Sequence, residues 1–149
     1  MSALRLAIVS ILMTFFLMGF VNRAQSAPNV WPNKGEVCIY NQGTGGHVTL
    51  AVLRTVGNNF IVHGYANDSG EITLLNGNAI LDGNTVYLHV TGSGYDDSQG
   101  EVHGVLSYAV MDLDSMDGWT VGIGHHCDET NPCGLEYEGP QDLIFEPCQ

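Results

Sequence analysis

Six histidines, His47, His63, His89, His103, His125 and His126, stand in a chain with only four lysines and arginines. Imidazole is the side chain that changes charge near neutral pH and the commonest nitrogen ligand for transition metals. A hairpin register that sets His89 opposite His103, followed by one that sets His103 opposite His126, puts three imidazoles in a row on adjacent strands. Strands about 4.8 Å apart and metal–nitrogen bonds of about 2 Å let such a row converge on one ion, with zinc or copper fitting equally. The competing reading leaves these rings facing solvent on an acidic strand face. No other feature demands a cofactor.

Two further groups could bind something. His125 with Tyr95, Asp96 and Asp97 falls at one end of the expected strands, where these side chains could close over a small ligand. Asp112, Asp114 and Asp117 precede Gly118, but the spacing is not that of a calcium loop, and a charged turn ending in Asp-Gly accounts for it. An enzymatic role has no motif to rest on, because neither a nucleophile elbow nor a zinc-protease helix occurs and all four cysteines are expected to pair.

The elements that would carry these residues are strands. In Thr85–Thr91, Val86, Leu88 and Val90 share one face while Tyr87 and His89 share the other, the alternation of a half-buried strand. The same reading gives Glu36–Asn41, His47–Arg54, Asn59–Ala66, Ile72–Leu81 with an interruption at Asn76-Gly77, Val102–Met111, Trp119–His126 and Leu143–Glu146. Turn-forming residues separate them, and no segment has a helical period.

Arg5 followed by the apolar run Leu6–Val21 and the small-residue stretch Ala24–Ala27 reads as a secretory signal over residues 1–26, leaving one domain over 27–149 in a secreted or periplasmic protein. That domain holds all 16 carboxylates against two fixed cations, Lys34 and Arg54, a net charge of −14. Nucleic acid and anionic membrane are unsuitable partners for it, whereas cations and small molecules are compatible. In an oxidising compartment Cys38, Cys127, Cys133 and Cys148 are expected to form two disulfides, Cys127–Cys133 across a turn-rich segment and Cys38–Cys148 from the first strand to the chain end.

Short connections make sequence neighbours antiparallel neighbours in space, so the expected fold is all-β, an eight-stranded antiparallel up-and-down meander. A Cys38–Cys148 bond would bring the last strand to the first and close it into a barrel. In strand count and order this resembles the calycin architecture of lipocalins and avidins. The lipocalin Gly-x-Trp entry is missing, since Pro32 follows Trp31, so no ligand or binding residue is implied.

The long connections gather at one end, the expected mouth, with all six histidines near it. The function expected from these features is an exported, non-enzymatic module that binds a small ligand or ion at the long-loop end. The alternatives are a histidine-based metal binder and a structural or interaction protein with an acidic surface, a homo-oligomer included.

Overall fold

The computed structural model describes residues 30–96, 101–127 and 134–148. They form an all-β protein, a closed antiparallel barrel in which eight strands follow one another in up-and-down order. The strands are β1 (Lys34–Asn41), β2 (His47–Arg54), β3 (Asn59–Asp68), β4 (Glu71–Asp82), β5 (Thr85–Asp96), β6 (Glu101–Asp112), β7 (Asp117–Cys127) and β8 (Gly134–Glu146). Closure comes from pairing of β1 with β8, from Cys38 opposite Glu146 to Asn41 opposite Leu143. The Cys38–Cys148 disulfide lies on that seam, as the sequence suggested. Cys127 is also disulfide-bonded, while Cys133, its expected partner, lies outside the described residues. The segment read as a secretory signal lies outside them too.

Alternation sorts each strand into an inner and an outer face. Val37 and Ile39 of β1, Leu50 and Val52 of β2, Phe60 and Val62 of β3, and Val86, Leu88 and Val90 of β5 are buried inside. They meet Leu75 and Ala79 of β4, Ala109 and Met111 of β6, and Leu143 and Phe145 of β8. Trp31, ahead of β1, closes the short-loop end. It is 3% exposed and packs edge-on against Phe60 and Phe145 at centroid distances of 6.1 and 6.4 Å. Burying this apolar set is the main drive to fold, at about 1.5–3 kcal/mol for each large side chain.

Three features depart from the sequence reading. First, β4 runs unbroken through Asn76-Gly77. Gly77 faces inward, and a Cβ there would overlap the backbone of His89 and Val90, so this glycine permits a close approach of β4 and β5. Second, β8 begins at Gly134 and carries a register irregularity opposite Thr120 and Gly122, where a loop was expected around Gly139-Pro140. Third, β5 and β6 continue to Asp96 and Glu101, and their register sets His89 opposite Tyr108 and His103 opposite Gly94.

The third departure controls the site. Relative to the expected hairpin the register is displaced by an odd number of residues, which swaps the faces of β6 and β7 against β5. Val86, Leu88 and Val90 therefore point inward, whereas Leu106, Trp119 and Ile123 point outward and are 41–44% exposed. Neither all-inward nor all-outward apolar residues describe this barrel.

Candidate functional site

The lumen is filled at the short-loop end and hollow at the other. The reason lies in the inner residues of β7, the small Thr120, Gly122 and Gly124, beside the equally small Ser107 and Ala109 of β6. A Cβ on Gly122 would lie 3.0 Å from the Ser107 hydroxyl, and one on Gly124 2.6 Å from the Glu138 carboxylate. These glycines leave a cavity of about 310 Å³ that rises to the β1–β2 turn at Thr44 and Gly46. Its deeper wall is Ile39, Leu50, Leu75, Leu88, Val90 and Leu143, and its upper wall bears Asn41, Asp68, Glu71, Thr73, His103, Ser107, Glu138 and Gln141.

The strands impose this gradient. Reading inward positions from mouth to floor, β4 gives Glu71, Thr73, Leu75, Gly77 and Ala79, and β3 gives Asp68, Ala66, Gly64, Val62 and Phe60. Polar groups thus meet water at the rim and apolar ones fill the base, the arrangement expected of a pocket that holds the body of a small molecule and orients its head.

His103 is the buried polar residue of the rim, at 7% exposure. Its Nδ1 is 2.7 Å from Glu71 Oε1, and its Nε2 is 2.8 Å from Thr73 Oγ1. A carboxylate only accepts, so Nδ1 carries the proton and donates to Glu71; the Thr73 hydroxyl, able to donate or accept, satisfies the other nitrogen. Nearby, Asn41 Nδ2 donates to Gln141 Oε1 at 2.6 Å and ties β1 to β8. Among the described residues neither Lys nor Arg lines the cavity. Lys34 opens β1 and Arg54 ends β2, both at the far end, where Arg54 is held by Gly57 O and Asn33 Oδ1.

The histidines expected in a row are not brought together. His89 is exposed on the outer face and His103 is buried on the inner one, so these two cannot share an ion. His126 is opposite His103 as expected, and its side chain lies outside the described residues. Among the described residues no three His, Cys, Asp or Glu side chains are grouped to hold a metal. His63 and His89 sit at mid-height, opposite Ala51 and Tyr108, because β3 and β5 extend beyond their expected ends. His47 lies outside, with Nδ1 2.7 Å from Glu146 Oε1.

The ligand residues expected at the mouth are also displaced. Tyr95 is 55% exposed, and neither it nor His125 lines the cavity. His125 lies on the outer face beside Gly104, where a Cβ would come within 2.8 Å of its Nδ1. The side chain of Asp96 and the whole of Asp97 lie outside the described residues. Asp112, Asp114 and Asp117 form the charged turn expected: Asp112 Oδ1 accepts from the Asp114 and Ser115 amides at 2.8 and 3.0 Å, and Ser115 Oγ donates to Asp117 Oδ1 at 2.6 Å. Backbone donation from Ser115 and then Asp114 lowers the Asp112 pKa below the usual carboxylate value.

Sequence reasoning missed Glu71, Thr73 and Glu138. The signal available was the regular spacing of Glu71, Thr73, Leu75, Ala79 and Leu81, hidden when β4 was treated as broken at Gly77. Compared with known proteins, the sequence matches no protein-family model and no curated relative.

Proposed function

We propose that the protein is an exported, non-enzymatic binding module that takes a small molecule into the upper lumen of its barrel. The hollow of about 310 Å³ with an apolar base and a hydrogen-bonding rim carries this reading. Its volume lies at the lower end of the roughly 300–1,000 Å³ usual for ligand pockets. The disulfides suit an oxidising compartment, in keeping with a secreted or periplasmic site of action. Native mass spectrometry of the freshly purified protein should reveal adducts of small mass that are absent from Ser107→Phe, in which a ring fills the lumen. Identical spectra for the two proteins, with no ligand retained or exchanged in, would remove the proposal.

A second reading concerns the outer wall and is compatible with the first. Across β4 to β7 the outward positions between Ile72 and Ile80, Tyr87 and Tyr95, Val102 and Val110, and Trp119 and His125 contain no Asp, Glu, Lys or Arg. This is an uncharged face on an otherwise strongly acidic chain. Tyr108 and Trp119 meet edge-on at 6.2 Å toward its short-loop end, next to exposed Leu106 and Ile123. We assign this face to a second copy of the chain, because two strongly acidic copies can approach without repulsion only where both lack charge. Four strands at about 4.8 Å and eight residues at about 3.4 Å give about 500 Å² in projection, before side-chain relief. That is of the order of the ~800 Å² each partner gives a standard interface. An outer-membrane barrel is disfavoured, since such barrels keep a polar interior. Sedimentation equilibrium should give at least a dimer, and a monomer at all concentrations would refute this assignment.

A further inference from the structure

The rim chemistry restricts what the lumen can accept. Asp68, Glu71 and Glu138 all line the upper cavity, and among the described residues no lysine or arginine does. Lys34 and Arg54, the fixed cations among the described residues, lie at the opposite end of the barrel, about 20 Å or more away along strands rising about 3.4 Å per residue. An anionic head such as a carboxylate or phosphate would enter a field of its own sign with nothing to neutralise it. A protonated amine would find carboxylate acceptors for its N–H groups and a potential that draws it in. Below the rim, Leu50, Leu88 and Leu143 offer an apolar wall to a hydrocarbon body. At about 30 Å³ per water-sized group, the hollow has room for about ten non-hydrogen atoms.

We infer that the lumen binds a short apolar molecule carrying one protonated amine, its tail against the leucines and its ammonium at Glu71 and Glu138. This inference rests on the lumen-binding reading above. His103 and Thr73 act as positioning residues, because the bond from His103 Nδ1 orients Glu71 rather than neutralising the rim as a whole.

Isothermal titration calorimetry at pH 7.5 and low salt, with hexylamine, hexanol and hexanoate as probes, separates the possibilities. Hexylamine should bind at least ten-fold more tightly than hexanol, and hexanoate should show no heat of binding. Glu71→Gln with Glu138→Gln should weaken hexylamine at least five-fold more than it weakens hexanol, with circular dichroism confirming the fold. Ser107→Phe should abolish binding of both. If hexanol or hexanoate binds as tightly as hexylamine, the amine assignment falls and lumen binding survives. Should none of the three bind the wild-type protein, or should Ser107→Phe bind hexylamine unaltered, lumen binding falls and the amine assignment with it.

Discussion

His103 of β6 reaches across β5 to place its Nδ1 2.7 Å from the Glu71 carboxylate on β4. It can do so because the β5 residue beneath the ring is Gly94, where a Cβ would overlap His103 and approach the Ile72 carbonyl. Two strands that are not neighbours are thereby joined over the intervening one. Gly94→Ala is expected to push the ring off Glu71 and to destabilise the fold by about 1–3 kcal/mol through overpacking. Urea unfolding measures the loss, and an unchanged midpoint would mean that the ring moves freely.

The hollow in the lumen can be checked by adding bulk at two alanines. Ala79 and Ala109 are both buried and inward-facing, but only Ala109 borders the cavity. Ala109→Leu should change stability by less than about 1 kcal/mol, because the added carbons enter open space, whereas Ala79→Leu should cost about 1–3 kcal/mol. Equal penalties in denaturant titrations would argue that the cavity collapses in solution.

Much of the fold was legible from alternation. The bounds of β2 were read as they stand, and the expectation that Cys38 and Cys148 meet led directly to closure. What failed was the register of one hairpin. Gly92 and Gly94 with the acidic stretch after them read as a loop, yet both glycines lie within β5, where a Cβ on Gly92 would crowd Leu75 and Thr73. Glycine marks a turn and a tight inner wall with the same letter. That ambiguity displaces the expected hairpin and hides the partners of His103. Local pattern fixes a strand's two faces, but which face is inner depends on the neighbouring ladder.

The Cys38–Cys148 bond spans a sequence separation of 110 residues. Constraining so long a segment of the unfolded chain makes the double variant Cys38→Ser/Cys148→Ser less stable by about 2–4 kcal/mol. This design leaves Cys127 oxidised, which a reductant would not. Chemical denaturation of the two proteins side by side gives the difference, and coincident curves would contradict it.

Asp112 supplies a pH-dependent contribution at the short-loop end. Its carboxylate is favoured in the folded state by the Ser115 and Asp114 amides, so its folded pKa lies below the unfolded value of about 3.9. The stabilisation is therefore fully present above about pH 3.9 and is lost as pH falls through the lower folded value. Asp112→Asn keeps an acceptor oxygen but removes the charge. The stability gap between wild type and this variant should shrink steadily from pH 5 to pH 2, and a gap that is constant or widens on acidification would reverse the sign.

On the outer wall, Leu106→Lys places a charge beside Tyr108 and Ile123, where the barrel has none. Leu106 is 43% exposed, so the variant should unfold within about 0.5 kcal/mol of wild type when both are compared as monomers. In sedimentation it should dissociate at concentrations where the parent self-associates. Persistence of the larger species would move the contact to another face.

The β1–β8 seam is the shortest ladder of the barrel, four paired positions, and the covalent bond sits on it. At the base Trp31 closes the floor. Among the described residues, a vessel sealed along its weakest join and stoppered below opens past Asp68, Glu71 and Glu138. Those carboxylates would therefore govern how fast a molecule exchanges as well as how tightly it is held, and cutting the Cys38–Cys148 bond should quicken escape from the lumen before it changes which molecules enter.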